Sequence, residues 1–336
     1  MGESAHDERY RAAARALRNR MVRRIVAGGG LTDPAWRQAF AEVPRHLFVP
    51  GSEGVGYERP AYERPGDGRA GRERPGYERS GYGRPGSDRP GEAVEARRRL
   101  RRLAAAYADQ PIATRVVEGE LVSSISQPSL MAVMCEALEV IKGQRVLEIG
   151  AGTGYNAALL AHRLGPDTVT TIDLDPEITA AARAHLDAYG TPAARSVVVV
   201  TGDGALGHPD RAPYDRIMAT CELPWIPPAW LAQCRPGGRI LAPFATAVVV
   251  LTVHGPDRAE GRFLRTPAFF VPLRGAAGGT SRAEGSGGGA PRGGIAGALF
   301  TGRHPERDRF GLTVDGPRQW VWLDDPHGPE TWPLTS

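Results

Sequence analysis

Apolar and polar positions follow two alternating periodicities through the middle of the chain. Short apolar runs typical of buried strands occupy residues 146–149, 168–172, 197–200, 216–219 and 240–241. Segments with apolar residues at helical spacing, such as 156–164 and 177–189, lie between these runs. Strands and helices that alternate in this order predict an α/β fold, in which helices cover both faces of a mostly parallel, doubly wound sheet.

The first fifty residues predict a helical N-terminal segment. Apolar residues recur at helical spacing from Ala13 to Ile25, and the glycines at 28–30 provide a stop signal. A second, short helix is predicted to begin at Asp33-Pro34, because aspartate is a favoured cap and proline is well tolerated in the first helical turn.

Residues 51–98 differ sharply in composition from the segments on either side. Tetrads such as Tyr57-Glu58-Arg59-Pro60 and Tyr62-Glu63-Arg64-Pro65 repeat loosely, and aliphatic residues are almost absent. Frequent proline and little apolar surface predict a disordered insert rich in proline, glycine and arginine. A functional alternative is that its arginines and tyrosines bind an acidic partner or RNA.

Beyond residue 274 the pattern changes again. A glycine-rich stretch at 275–298 predicts a flexible linker, which a C-terminal extension at 299–336 follows. Within this extension, alternating apolar residues at 310–314, turn residues at 315–317 and a second apolar run at 320–323 predict a β-hairpin. Its tryptophans could line a peptide groove, although aromatic residues at alternate positions usually pack in a core.

Composition narrows the class of protein. The chain has 336 residues, 41% of them hydrophobic, which is typical of a soluble enzyme. Its net charge of +4 arises largely from the arginines at 97–102, so we expect no nucleic-acid partner. Cys135, Cys221 and Cys234 are too far apart to predict a disulfide framework or a metal site, which favours a reducing, cytoplasmic compartment. No apolar run is long enough to predict a membrane span, and residues 1–10 lack a signal-peptide core.

A glycine-rich turn directly follows the first predicted strand of the domain and directly precedes a helix. This context is the one that a nucleotide-binding turn requires. The spacing is GxGxG, whereas a dinucleotide fingerprint would have its third glycine where Tyr155 stands, so adenosylmethionine is favoured over NAD. A tight turn without a ligand is the alternative. The residues predicted to bind the cofactor here are Glu148, Gly150, Ala151, Gly152, Thr153 and Gly154.

Two aspartates follow the next two strands. Asp173 ends the second strand, where its carboxylate can accept hydrogen bonds from both ribose hydroxyls, with Leu174 beside it. Asp203, followed by Gly204, is placed after the third strand to accept a hydrogen bond from the adenine amino group. Each aspartate alone is more often a surface or turn residue. Together, at the carboxyl ends of successive strands, they predict a cofactor site.

Further motifs occur in the order found in protein-L-isoaspartate O-methyltransferases, which the chain resembles over residues 15–50 and 103–274. Ile-Ser-Gln-Pro is the most specific motif, whereas the glycine turn and Pro-Gly-Gly occur in many methyltransferases. The motifs are Val43–Pro50, Ala106-Tyr107, Ile125–Pro128, Val146–Gly154, Gly202–Gly204, Pro213–Asp215, Pro236–Arg239 and Phe270–Leu273. The resemblance implies a Rossmann-like class I methyltransferase domain at 99–274. It also implies transfer of a methyl group from S-adenosylmethionine to the α-carboxylate of isoaspartyl residues in peptides or proteins.

In that family the serine of the Ile-Ser-x-Pro motif lies beside the substrate carboxylate, so the resemblance implies Ser126 as the catalytic residue. The alternative is that Ser126 caps the helix that begins at Pro128. A carboxylate is already ionised at neutral pH, so no general base is needed, and we expect His46 to be a packing or turn residue. The predicted substrate-binding residues are Ser126, Gln127, Pro128, Cys221, Glu222, Val271 and Pro272.

Two departures from the family leave other hypotheses open. Glu222 stands where the family has small residues, and its charge near an anionic substrate would disfavour isoaspartate repair, unless it is a solvated loop residue. The C-terminal extension resembles that of methyltransferases that accompany ATP-grasp peptide-maturation systems and esterify aspartate in one precursor peptide, leading to aspartimide. A non-catalytic protein that binds through its arginine-rich insert is the third hypothesis. The sequence does not predict the oligomeric state.

Overall fold

The structure is a computed structural model that describes residues 2–50, 90–275 and 306–334. Within these ranges, ten strands form one large sheet and two strands form a separate small one. The small sheet consists of β1 (Ile112–Val117) and β2 (Glu120–Ile125). The strands of the large sheet are β3 (Val146–Ile149), β4 (Val169–Asp173), β5 (Val198–Thr201), β6 (Tyr214–Ala219), β7 (Cys234–Phe244), β8 (Ala247–Gly255), β9 (Arg258–Phe263), β10 (Phe310–Asp315), β11 (Arg318–Leu323) and β12 (Thr331–Leu334).

Helices connect the parallel strands and precede the sheet. The helices of the described residues are α1 (Gly2–Ala27), α2 (Pro34–Glu42), α3 (Pro90–Ala106), α4 (Pro128–Ala137), α5 (Tyr155–Leu164), α6 (Pro176–Tyr189), α7 (Pro192–Arg195) and α8 (Pro228–Gln233). As the sequence predicts, Asp33 caps α2, because its side chain accepts a hydrogen bond from the backbone N–H of Ala35.

The large sheet has the order β12-β11-β10-β9-β8-β7-β6-β3-β4-β5. Strands β5, β4, β3, β6 and β7 pair in parallel, whereas β7 to β12 pair antiparallel. The parallel strands of a doubly wound sheet all point their carboxyl ends to one edge. The predicted α/β fold is therefore confirmed, and the antiparallel half extends it on one side.

Alternating residues of the central strands enter hydrophobic clusters on opposite faces of the sheet. Val146 and Met218 pack in one cluster with side chains of α1, α2, α4 and α5. Their neighbours Leu147 and Ile217 pack in the other, with α8 and the C-terminal strands. Because both faces are buried, the central strands are apolar throughout rather than alternately apolar and polar.

The C-terminal extension forms the predicted hairpin and joins the large sheet. β10 pairs with β11 and also with β9, so the hairpin continues the antiparallel half rather than packing on its surface. Trp322 is buried, and its indole N–H donates a 2.9 Å hydrogen bond to the Thr313 hydroxyl. Trp332 packs against Phe310 with 6.0 Å between ring centroids. Core packing, rather than a peptide groove, therefore accounts for these two tryptophans.

The prediction of disorder is wrong at the C-terminal end of the insert. Helix α3 begins at Pro90, inside the range 51–98 that composition marked as disordered. The proline-containing tetrads stop there, and a run of glutamate, alanine, arginine and leucine, all good helix formers, follows. The buried side chains of Leu103 and Ala106 anchor the helix. The remainder of the insert, 51–89, and the predicted linker at 276–298 lie outside the described residues.

A buried glutamine ties the C-terminal hairpin to the loop that follows β6. The side chain of Gln319 donates to the backbone oxygen of Ile226 at 2.7 Å and accepts from its backbone N–H at 2.8 Å. Both residues are buried, so water cannot replace these partners. The hairpin therefore fixes one end of a loop that borders the carboxyl edge of the sheet.

In the ranges that the structure describes, no helix combines the length and the apolar character needed to cross a bilayer.

We expect Gln319→Ala to lower the free energy of unfolding by about 1–3 kcal/mol for each polar group of Ile226 that loses its partner. Denaturant unfolding of the purified protein measures this loss. Gln38→Ala is the matched control, because Gln38 is exposed and its side chain donates to the exposed Glu42 side chain; we expect a change below about 0.5 kcal/mol there. Equal stability of the two variants would contradict a structural role of the Gln319–Ile226 contact.

Candidate active site

A cleft lies at the carboxyl edge of β3, β4 and β6, where an open α/β sheet binds its ligands. Its space, including the open mouth, is about 810 Å³. The predicted site residues that line it are Ser126, Glu148, Gly150, Ala151, Gly152, Thr153, Asp173, Leu174, Gly204, Cys221, Val271 and Pro272. The tertiary structure thus brings together residues from six separate segments of the chain.

The remaining predicted site residues do not line the cleft. These residues are Gly154, Asp203, Gln127, Pro128 and Glu222. Gly154 supports the glycine turn, Gln127 and Pro128 lie at the start of α4, and Asp203 and Glu222 lie beyond the walls of the cleft.

The glycine turn after β3 requires glycine at two positions. Gly150 has φ +96°, and a Cβ atom there would lie 2.6 Å from the Thr220 hydroxyl. That hydroxyl donates a 2.9 Å hydrogen bond to the backbone oxygen of Gly150. Gly154 has φ +83° and packs against the backbone of Ala182, with 3.1 Å between a built Cβ and the Ala182 oxygen. The turn is thus a bare backbone surface that a ligand can approach closely.

Glu148 places a buried carboxylate under this turn. Its Oε1 accepts a 2.7 Å hydrogen bond from the side-chain amide of Asn156. Its Oε2 is buried without a hydrogen-bond partner among the described residues. Burial raises the pKa of Glu148 to about 7, and the nearby Thr171 hydroxyl and the Asn156 bond oppose this shift only in part. A cationic group bound in the cleft would supply the missing partner.

Asp173 lies at the carboxyl end of β4 with hydrogen-bond donors on both oxygens. Oδ2 is 3.4 Å from the backbone nitrogen of Gly152, and Oδ1 is 3.3 Å from that of Asp175. Arg274 also reaches Oδ1, with its Nη2 at 3.1 Å. Burial raises the pKa of Asp173, and these donors oppose the shift. The carboxylate is therefore held rigidly at the mouth of the cleft.

These residues fit adenosylmethionine, the cofactor that the sequence predicts. The unpartnered oxygen of Glu148 suits an ammonium group, and the glycine turn leaves room beside it. Asp173 can accept hydrogen bonds from two adjacent hydroxyls. Binding of the adenine by Asp203 stays a prediction, because Asp203 Oδ1 caps a short 3₁₀ helix by accepting a 2.9 Å bond from Ala205 N.

Ser126 lines the cleft immediately before α4. The alternative role of Ser126 as a helix cap is wrong, because Gln127 occupies the cap position and makes no side-chain cap bond. Asp109 serves the start of this helix instead, accepting a 2.9 Å bond from the backbone N–H of Ser129. The Gln127 amide donates to the Ser129 hydroxyl at 2.9 Å. Gln127 and the buried Pro128 therefore shape the start of the helix rather than the cleft wall.

A buried arginine that the sequence analysis missed holds the backbone of Ser126. The Arg45 guanidinium donates to the Ser126 oxygen at 3.1 Å and to the backbone oxygen of Ala106. Arg45 is fully buried although arginine rarely is. A charged residue inside the Val43–Pro50 motif, which is apolar apart from Arg45 and His46, was the signal that could have found it.

His46 does not line the cleft. Its Nδ1 lies 2.7 Å from the Tyr107 hydroxyl, and its ring packs edge-on against Tyr10. Burial, with Arg18 and Arg99 nearby, lowers the pKa of His46 to about 4. The prediction that His46 is a packing residue is therefore confirmed.

The small β1–β2 sheet covers part of the cleft and was not predicted from the sequence. Ser123 and Ser124 of β2 line the cleft, and Thr114 of β1 donates a 3.0 Å hydrogen bond to the Ser123 hydroxyl. Arg115 forms a 3.2 Å ion pair with Asp175 at the start of α6. This ion pair fixes the small sheet beside the end of β4.

Glu222 supports the opposite wall through its backbone. Its N–H donates to Val271 O, and its own oxygen accepts from Leu273 N, both at 2.8 Å. These bonds hold the segment 271–274 against the loop after β6. The Glu222 side chain is half-buried, and burial raises its pKa. Direct contact between this side chain and a substrate stays a prediction.

One protein-family model and several relatives match this chain. The family model described as protein-L-isoaspartate(D-aspartate) O-methyltransferase matches residues 84–275. A protein-L-isoaspartate O-methyltransferase 1 of Anaeromyxobacter sp. (strain Fw109-5) is 36% identical over 259 residues, covering 76% of this chain and 95% of the relative. A protein-L-isoaspartate O-methyltransferase of Hyperthermus butylicus is 32% identical over 275 residues, covering 78% and 90%.

Solved structures share the fold. A protein-L-isoaspartate O-methyltransferase aligns with a TM-score of 0.57 at 24% identity, covering 77% of this chain and 67% of the other. A putative protein-L-isoaspartate O-methyltransferase from Plasmodium falciparum, in complex with S-adenosyl-L-homocysteine, aligns with a TM-score of 0.51 at 12% identity, covering 78% and 98%. At these identities the alignments support the architecture alone.

We expect the affinity for adenosylmethionine to weaken as pH falls below 7. The pKa of Glu148 is about 7, and only the ionised carboxylate pairs with an ammonium group. Binding should therefore be about tenfold weaker at pH 6 than at its plateau. Calorimetric titrations between pH 5.5 and 7.5 measure this change.

Glu148→Gln is the matched control for the pH dependence, since an amide cannot ionise. We expect this variant to bind more weakly and with a nearly flat pH profile. If the pH dependence persisted in Glu148→Gln, Glu148 would not be the group whose ionisation controls cofactor binding.

We expect Arg45→Met to lower kcat about 10- to 100-fold, because a displacement of Ser126 by about 1 Å suffices for such a loss. The Kd for adenosylmethionine should change less than about twofold, since Arg45 contacts none of the proposed cofactor ligands. Arg45→Lys should recover part of the loss. Arg37→Met is the control, because Arg37 is exposed and bonds the backbone oxygen of Leu31 outside the cleft. A parallel loss of cofactor binding would contradict a specific positioning role.

Proposed function

Because the chain belongs to the protein-L-isoaspartate O-methyltransferase family, it is an adenosylmethionine-dependent O-methyltransferase, and we propose that it esterifies the α-carboxylate of isoaspartyl residues in peptides or proteins. One observation carries the assignment of the site. Ser126, which the family motif places beside the substrate, lines the same cleft as the glycine turn and Asp173. Cofactor and substrate residues therefore face one space.

Glu148, Asp173 and the glycine turn form the proposed cofactor site. When bound there, S-adenosylmethionine supplies a methyl group activated by a sulfonium centre. Glu148 Oε2 would accept from the ammonium group of the methionyl end, and Asp173 would accept from the ribose hydroxyls. Contacts at both ends would fix the cofactor in the cleft that Ser126 also lines.

Ser126 is the proposed substrate contact. Its hydroxyl donates a hydrogen bond to one oxygen of the substrate carboxylate, which leaves the other oxygen free to attack. No proton has to be removed, because the carboxylate is ionised at neutral pH. This suits a cleft in which no histidine or lysine occurs among the described lining residues. Positioning supplies the rate, and the small β1–β2 sheet and the segment 271–274 hold the cleft walls in place.

The alternative is esterification of aspartate in a dedicated precursor peptide. Its sequence support was the C-terminal extension, and this extension has a structural role in completing the second hydrophobic cluster and holding Ile226. The comparisons name isoaspartate enzymes among the relatives. Isoaspartyl substrates are therefore the stronger proposal, and a single experiment separates the two.

We expect methyl transfer from labelled adenosylmethionine to a peptide that carries isoaspartate, and none to the matched peptide with normal aspartate. Ser126→Ala should lower kcat/KM about 10- to 100-fold, the effect of losing a hydrogen bond to a charged group. Ser129→Ala is the matched control, three residues away and outside the cleft. Equal turnover of both peptides, or an unchanged Ser126→Ala variant, would contradict the proposal.

A further inference from the structure

Arg274 is the only positively charged side chain among the described residues that line the cleft. Its guanidinium Nη2 lies 3.1 Å from Asp173 Oδ1, and its side chain is 37% exposed at the cleft mouth. The other charged lining residues are the carboxylates of Glu148 and Asp173. An anionic substrate that enters this cleft therefore meets two acids and one cation.

The backbone beside Arg274 is fixed while its side chain retains rotatable bonds. The preceding residue, Leu273, donates a 2.8 Å hydrogen bond to Glu222 O, and Gly275 follows with φ +127°. The long side chain of arginine can thus pivot about an anchored Cα atom. Its planar guanidinium binds carboxylates with paired hydrogen bonds, which suits a substrate carboxylate as well as Asp173.

Asp173 is the residue that both Arg274 and the proposed cofactor contact. Under the proposed function, the ribose hydroxyls donate to the carboxylate that Arg274 contacts at Oδ1. The guanidinium and a ribose hydroxyl that donates to Oδ1 therefore compete for the same oxygen. When ribose binds, the guanidinium of Arg274 loses its contact with Asp173. Because ribose is neutral, no other positive charge takes the place of the guanidinium beside the carboxylate.

We propose that Arg274 is a specificity-determining residue that exchanges carboxylates: it leaves Asp173 when the ribose binds there and then binds the free carboxylate of the substrate. This inference rests on the proposed function. It explains how a cleft with two acids accepts an anion, and it makes cofactor binding favour substrate binding.

The exchange is compatible with the chemistry of the methyl transfer. Arg274 and Ser126 hold one oxygen of the substrate carboxylate, and the other oxygen attacks the methyl carbon. The O–CH₃ bond forms as the C–S bond breaks, so a carboxylate and a sulfonium become a neutral ester and a thioether, and no proton moves. The ester has lost the charge that Arg274 binds, which favours release of the product.

Binding to Arg274→Gln tests the exchange without turnover. We expect the Kd for S-adenosylhomocysteine to tighten about two- to tenfold, because the competitor for Asp173 is gone. In the presence of saturating S-adenosylhomocysteine, the isoaspartyl peptide should bind at least about tenfold more weakly to this variant than to the wild type. The same peptide with its α-carboxylate amidated should bind both proteins equally.

Turnover measurements then show whether the charge of Arg274 or the planar shape of its guanidinium matters more. Arg274→Gln should lower kcat/KM for the isoaspartyl peptide at least about tenfold, mostly through KM, and Arg274→Lys should recover part of this loss because it restores the charge without the planar guanidinium. Arg265→Gln is the control, because Arg265 pairs with Glu306 and Asp308 away from the cleft.

Two results would overturn the inference: weaker or equal binding of S-adenosylhomocysteine to Arg274→Gln, which would show that Arg274 does not compete for Asp173, or unchanged peptide binding. If the wild type methylated neither peptide, the proposed function would fail instead. The cofactor titrations would still decide the exchange at Asp173, since tighter binding to Arg274→Gln supports it and weaker or equal binding contradicts it.

Discussion

A buried carboxylate with one unsatisfied oxygen, Glu148 at the end of β3, is the feature on which the site depends. Only Asn156, from the first turn of α5, satisfies its other oxygen. Such a group costs free energy in the folded protein unless a cation arrives, so the cleft is prepared for a positively charged ligand. The glycine turn presents backbone rather than side chains above this carboxylate. Position 150 has no room for a side chain, because a Cβ atom there would lie 2.6 Å from the Thr220 hydroxyl.

The sheet makes this arrangement rigid. Both faces of its central strands are buried, so the carboxyl ends of β3, β4 and β6 cannot shift independently of two hydrophobic clusters. The C-terminal hairpin belongs to this framework, since its residues pack in the second cluster and Gln319 holds Ile226. A reaction that needs accurate positioning rather than acid–base chemistry depends on such rigidity.

Charge is distributed in the cleft to suit a cationic cofactor first and an anionic substrate second. In the proposed function, Glu148 and Asp173 bind the ammonium and hydroxyl groups of the cofactor. Without a counter-charge they would repel a carboxylate, and Arg274 supplies that counter-charge from the opposite wall.

The sequence by itself determined the α/β architecture, the glycine turn and the positions of Glu148 and Asp173, because periodicity and turn chemistry are local properties of the chain. It marked residues 90–98 as disordered, although α3 begins at Pro90. Only the tertiary structure decided which distant residues meet: Arg45 and Ser126 are 81 residues apart, Asp173 and Arg274 are 101 apart, and Ile226 and Gln319 are 93 apart. Such contacts depend on strand order and side-chain direction, which no local pattern encodes.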